Sequence, residues 1–522
     1  MAMQDDALIF LFLLPLTLLI IIHVASRLRH ALTPEAACAR LAAAVLSAIL
    51  NKLPSRALLR QAAEVHVVVT DRSAAHRLLV GGAAATGAFS DRPPSVVPSA
   101  VLSRRRHYNI NSAPYGPLWR AMRRNLTSEL FHPSRLRLYA PARHRALSDL
   151  RCASSSSSAG GGVVLAAESL RAAMFGLMST MCFGSCIDAS LVKAMADAQD
   201  DLVQCFLGLR VFATLPAITG LIFRHRWRKL VELRQQQEEM YLPLIDARRR
   251  DRRANRSHDG EPPAYVDTLV DLRVPDEHAI GGGGSDRRMK RRRKLTDGEL
   301  VGLCSEFVGA GTEPAAAALQ WIMANLAKRP GVQRALREEI DAAVDADAGE
   351  VGDEVVARLQ YLNAVIMEGL RLHPTVPMVF RQVMAGDHVV VDGRRLPAGT
   401  AVLFPLDILA QDKTAWADPL EFRPERFMTG GEGEGVSLVA AAGSAGEMRM
   451  MPFGRMCPGM GVAVLHLGYF VANLVREFEW TEADGDHAVD LRPHVGFFTV
   501  MQRPLRARLV RRRRQANPLG WD

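Results

Sequence analysis

The chain has no disulfide framework. Its seven cysteines, Cys38, Cys152, Cys182, Cys186, Cys205, Cys304 and Cys457, are too few and too irregular, which points to a reducing, cytosol-facing domain. Cys182 and Cys186 have no second ligand pair, so support for a zinc site is weak. No Asp, Glu, Lys or Arg occurs from Ala7 to Val24, where Leu, Ile and Phe dominate. That run is close to the ~20 residues needed to span a bilayer. Asp5 and Asp6 precede it and Arg27 and Arg29 follow, so the charge bias places the later side in the cytoplasm. A cleaved signal peptide would begin basic and end at a small-residue cleavage site; here the start is acidic. The expectation is one membrane anchor over residues 1–26.

A length of 522 residues suggests two or three domains as a prior. The net charge of +10 is concentrated in two runs, Arg287 to Lys294 and Arg511 to Arg514. Such runs can bind nucleic acid. With an anchor upstream, a solvated loop drawn to anionic lipid is the better reading, and no nucleic-acid partner is expected. Ser154 to Gly162, Arg249 to Arg293 and Gly430 to Gly446 read as surface linkers by composition.

Thr296-Asp297-Gly298-Glu299 reads as a capping box opening a long helix, which runs to about Lys328 and stops at Arg329-Pro330-Gly331. Leu362, Val365, Ile366 and Leu370 recur at helical spacing, so Glu368 and Arg371 share a face and can pair. Arg426, in Phe422-Arg423-Pro424-Glu425-Arg426-Phe427, can supply a third charge. Trp119 and Arg123 stand four apart and can both donate to one anion. Val389-Val390-Val391, Asp392-Gly393 and Ala401 to Phe404 form a hairpin signal. Finally, Cys457 sits in a Gly/Pro-rich turn two residues after Arg455 and just before a long apolar run. Alone, such a cysteine is more often a small buried hydrophobe.

Taken in chain order, Trp119 to Arg123, the long central helix, Glu368 to Arg371, Pro424 to Phe427 and Cys457 to Gly459 resemble the cytochrome P450 family, from about Val65 to the end. Segments such as Ala318 to Leu326 and Tyr265 to Leu272 are similar to the plant microsomal 89A subfamily. The resemblance implies one large domain over 27–522 rather than the two or three that length suggests, a mainly α fold with small β-sheets behind a transmembrane anchor helix, on the endoplasmic reticulum and facing the cytosol. It implies a haem-thiolate monooxygenase that oxidises a small lipophilic substrate with dioxygen, using electrons from NADPH through a P450 reductase. Haem b would take Cys457 as its axial ligand. Trp119, Arg123, Arg455 and Arg381 would hold the propionates, with Phe453 and Gly459 in the ligand loop. Glu368, Arg371 and Arg426 would form a buried structural triad, and Glu313 the acid of the proton relay. The pocket would draw on Phe206 to Ile222 and Thr375 to Phe380, whose apolar character says only that the substrate is lipophilic.

The chain departs from the family at three places. The central helix reads Ala310-Gly311-Thr312-Glu313-Pro314, with proline where a threonine is expected; proline has neither the hydroxyl nor the backbone donor. Thr312 is turned about 200° round the helix from that position. The loop before Cys457 reads as three residues short, with Met450 and Phe453 where the family places Phe and Gly. The Pro-rich hinge after the anchor is missing, and the first sheet strands are abbreviated. Two other readings therefore stay open: a haem-thiolate isomerase or dehydratase that needs no reductase, and a non-catalytic membrane protein with a degenerate fold.

Overall fold

The computed structural model describes residues 66–79, 89–93, 108–158, 163–185, 187–206, 208, 212, 222–254, 262–276, 292–345, 348–384, 388–391, 393–436, 438, 457–483 and 488–512. The anchor segment 1–26 and the loop residues Phe453 and Arg455 lie outside these. Among the described residues no helix is long and apolar enough to cross a membrane.

Helices dominate. In chain order they include α1 Arg72–Leu79, α2 Pro117–Asn125, α3 Ala140–Ser158, α4 Ala166–Phe183, α5 Ala189–Cys205, α6 Arg224–Arg253, α7 Tyr265–Val270, α8 Asp297–Lys328, α9 Pro330–Ala343, α10 Gln360–Leu372 and α11 Met460–Glu477. Helix α8 is the axis of the molecule. Thr296 Oγ1 accepts from the Glu299 N–H, and the Glu299 carboxylate accepts from the Thr296 N–H, so the capping box forms. Leu319, Trp321, Ile322, Met323, Ala324 and Leu326 are buried all round the later half of α8, packed between α4, α10 and α11. Pro330 occupies the first turn of α9, where its missing N–H has no helical partner to lose.

The sheets are small and peripheral. β1 His66–Val68 pairs in parallel with β8 Ala401–Pro405, which pairs antiparallel with β5 Met378–Gln382. β6 His388–Val391 pairs antiparallel with β7 Arg394–Pro397, turning at Gly393 with φ of 77°. The strand-like run from Ala401 is therefore not the hairpin partner of Val389–Val391; it is the middle strand of another sheet, and its burial on both faces suits that place. β9 Phe478–Glu482 and β2 Val163–Leu165 flank β12 Arg506–Arg511, and β10 Pro493–Val495 pairs with β11 Thr499–Met501.

Two stretches read as linkers are partly folded. Helix α3 continues through Ser158, because serine costs a helix only a few tenths of a kcal/mol. Helix α6 reaches Arg253, and β3 Arg273–Pro275 pairs with β4 Arg292–Lys294. Arg248 is held by the buried Asp267 carboxylate of α7, which also caps that helix through the Ala264 N–H.

Candidate active site

Cys457 lies in the turn that starts α11, with Gly459 at the N-cap. Its side chain is exposed to a cavity of about 600 Å³, with protein packed densely around it. Burial therefore pushes the thiol up, while the Gly459 N–H donating to sulfur and the charges of Arg123 and Arg92 pull against it. The start of α11 adds the partial positive charge of a helix N-terminus.

Arg92, Arg123 and Arg381 line the same cavity. Burial lowers the Arg92 guanidinium below its ordinary value, opposed by Glu306 and Cys457; burial lowers Arg123 as well, opposed by Cys457. Arg123 Cζ lies 5.3 Å from the Trp119 ring centroid, so the ring supports the cation. The indole N–H of Trp119 donates to the Ile110 carbonyl at 3.1 Å. Sequence spacing suggested that Trp119 and Arg123 donate to one anion; here the indole orders the turn at 109–113 and Arg123 alone keeps donors toward the cavity. Arg381 is buried in β5 and donates to the Phe380 carbonyl at 2.8 Å.

The opposite wall is one face of α8. Leu303, Glu306, Phe307, Ala310, Gly311, Pro314, Ala315 and Ala318 line the cavity at helical spacing. Glu306 accepts from the Ile110 and Asn111 N–H groups at 2.8 and 2.7 Å, tying that turn to the helix. Glu313 is not among the lining residues. It is bound by Arg171 of α4 at 2.7 Å, and Arg171 also meets Asp200 at 2.6 Å. Burial acts to lower the Arg171 guanidinium, but the two carboxylates outweigh it and leave it raised. Thr312 is fully buried, and its Oγ1 has no hydrogen-bond partner. From 310 to 315 the cavity face thus presents Ala310, Gly311, Pro314 and Ala315, with no side-chain hydroxyl or carboxylate.

Glu368, Arg371 and Arg426 come together with side chains wholly buried. Arg371 donates to both Glu368 oxygens at 2.6 and 2.8 Å, and Arg426 Nε donates to Glu368 at 3.2 Å. Arg371 also reaches the carbonyls of Pro419, Ala410 and Glu421, and Arg426 those of Asp418 and Ala417. The cluster pins the segment 417–421 to α10.

Residues 56–509 match the cytochrome P450 family. The chain belongs to the cytochrome P450 family. It is 37% identical to cytochrome P450 89A9 of Arabidopsis thaliana over 454 residues, 85% of this chain and 84% of that protein. It is 31% identical to cytochrome P450 78A1 of Zea mays, over 81% of this chain and 75% of that one. A solved zebra fish cytochrome P450 with progesterone superposes with a TM-score of 0.65 at 19% identity, covering 90% of this chain and 99% of its own, which shows the fold.

Several P450 site residues carried no sequence signal. Arg92 reaches the cavity because Asp91 bridges to Gln382 of β5 and its carboxylate holds the Tyr115 N–H. Glu306 stands two turns before Glu313 and looks like any acid on an amphipathic helix. Glu432, in a Gly-rich stretch read as a linker, meets Arg426 at 3.1 Å and Arg423 at 3.0 Å. Its position within six residues of Arg426 was the available clue.

Proposed function

We propose that this P450 is a haem-thiolate monooxygenase that oxidises a lipophilic substrate. The carrying observation is Cys457, exposed to a mostly apolar cavity that the half-buried cations Arg92 and Arg123 also line. A single sulfur donor, apolar walls and arginines suit a flat apolar ring with two carboxylate arms. Haem b would be held by the Cys457 thiolate, with Arg123, Arg92 and Arg381 for its carboxylates and Arg455 and Phe453 in the preceding loop. When bound, haem supplies activation of dioxygen for insertion of one oxygen atom into the substrate.

The chain's own part is to shape, orient and supply protons. The Gly459 N–H holds charge on sulfur. Trp119 stacks beneath Arg123 and fixes its direction. Leu303, Phe307, Ala315 and Val379 exclude water from the cavity wall. Proton delivery from Glu313 requires it to leave Arg171, and no hydroxyl at position 314 holds water along the way. Protons therefore come through water in the α8 groove, and coupling of electron supply to product is poor.

Electrons from NADPH would arrive through a reductase docked on basic surface. The apolar run Ala7 to Val24, with its acidic lead and basic follow-up, supports residues 1–26 as a single endoplasmic reticulum anchor before a domain over 27–522. Turnover under isotopically labelled dioxygen, with and without NADPH and reductase, tests the reading. Label in the product only when both are present is the expected outcome. Unlabelled product formed without reductase would replace it with the isomerase or dehydratase reading, which the missing hydroxyl at Pro314 favours.

A further inference from the structure

The apolar cavity carries a polar strip along α8. Gly302, Ser305 and Gly309 lie on one helix face, since seven residues bring the chain back within about 20°. All three line the cavity. The two glycines leave notches filled by polar side chains from the helices above. A Cβ at Gly309 would lie 2.3 Å from Gln199 Nε2 of α5, and one at Gly302 3.7 Å from Arg234 Nη2 of α6. Between them, Ser305 Oγ accepts from Gln237 Nε2 at 2.9 Å.

Two members of this strip have unused hydrogen-bonding capacity. Gln199 is 4% exposed and lines the cavity, yet its amide oxygen has no hydrogen-bond partner. A buried amide oxygen without a donor is costly unless a ligand supplies one. Arg234 lines the cavity too. It donates to Gly298 O at 2.9 Å and Gln237 Oε1 at 3.3 Å, and meets the half-exposed Glu238 at 3.4 Å. Those contacts engage three of the five N–H donors of a guanidinium. The other carboxylates on this wall are committed, Glu299 to Arg293 at 2.7 Å and Glu306 to the Ile110 and Asn111 N–H groups.

We infer that the substrate is an amphipathic acid whose carboxylate is held by Arg234 and whose mid-chain hydroxyl or amide meets Gln199. The inference rests on the reading of this cavity as the substrate site and adds the substrate's chemical class. Gly302 and Gly309 are about 10 Å apart along the helix axis, which sets the spacing of the two polar groups. A carboxylate suits a single planar guanidinium, whereas a phosphate would call for further cations. The rest of the molecule is apolar, matching Leu202, Val203 and Phe206 beside Gln199.

Equilibrium dialysis of the purified holoprotein with radiolabelled hexadecanoic acid, its methyl ester and a mid-chain hydroxyhexadecanoic acid tests this. The acid is expected to bind about tenfold or more tighter than the ester, and the hydroxy acid tighter still. Arg234→Met should abolish the preference for acid over ester, Arg234→Lys should keep part of it, and Gln199→Leu should remove only the gain from the hydroxyl. Equal binding of acid and ester to the unmodified protein overturns the inference, whether or not Arg234→Met folds. An acid preference that survives Arg234→Met, or a hydroxyl gain that survives Gln199→Leu, overturns it as well. A carbon monoxide difference spectrum on the same preparation separates the two readings. A haem-thiolate spectrum without acid preference sinks this inference alone, and an acid preference without the spectrum sinks the haem assignment alone.

Discussion

Replacing Glu368 with Gln removes one charge from the most deeply buried ion cluster and leaves the shape almost unchanged. Glu368 accepts from Arg371 Nε at 2.6 Å, Arg371 Nη2 at 2.8 Å, the Arg423 N–H at 2.9 Å and Arg426 Nε at 3.2 Å. In the parent, Arg371 and Arg426 face two carboxylates, Glu368 and Glu432, and the half-exposed Arg423 also meets Glu432. After the change Arg426 still has Glu432 at 3.1 Å, but Arg371 keeps only carbonyl partners. One buried charge is left uncompensated, and the new amide turns an N–H toward an arginine donor. That class of loss costs about 3–5 kcal/mol. Glu432→Gln removes a carboxylate at the rim, 28% exposed, and should cost about 1 kcal/mol or less. Urea unfolding followed by tryptophan fluorescence reads both, and Trp416 reports locally because its ring centroid lies 5.3 Å from Arg371 Cζ. Equal losses in the two variants, or a loss below about 1 kcal/mol for Glu368→Gln, would refute the reasoning.

Three further outcomes follow from the same geometry. Pro314→Thr restores a hydroxyl on the cavity face of α8 and should raise the product formed per NADPH oxidised; an unchanged ratio in a reconstituted assay counts against water in the groove as the weak link. Gly431→Ala should destabilise by about 1–3 kcal/mol, since a Cβ there would lie 2.3 Å from Arg426 O and 2.4 Å from Glu425 O, both backbone atoms; a melting temperature equal to the parent's would contradict this. His373 and His466 are each lowered to about 3, mainly by burial, with Arg329 and Arg371 adding at His373 and Arg143 at His466. Their folded values lie below the unfolded value of about 6.5, so the unfolded chain binds more protons and stability falls as pH drops from about 6.5 toward 3. At pH ~5 each should account for about 2 kcal/mol, and His373→Phe should flatten that part of the stability profile.

The helical framework was legible because its signals are local. Thr296 and Glu299 cap α8 within one turn, and Leu362, Val365, Ile366 and Leu370 mark a periodic face on α10. Glu368 and Arg371 were legible for the same reason. What was not legible depends on contacts far apart in the chain. Arg92 reaches the cavity through an Asp91 bridge to β5, and Glu313 is bound by Arg171 of α4, which Asp200 of α5 also holds in place. Residues Ala401 to Phe404 were assigned to the wrong partner because a strand's own pattern does not say which neighbour it joins. The arrangement of Gln199 and Arg234 over two glycines was equally hidden, since it needs the spacing of α8 and the position of two helices above it.

The most direct test is a carbon monoxide difference spectrum of the reduced, purified protein beside its Cys457→Ala variant. The account predicts the red-shifted Soret band of a thiolate-ligated haem in the parent and its loss in the variant. A parent protein that carries no haem, or whose band is unchanged by Cys457→Ala, would contradict it.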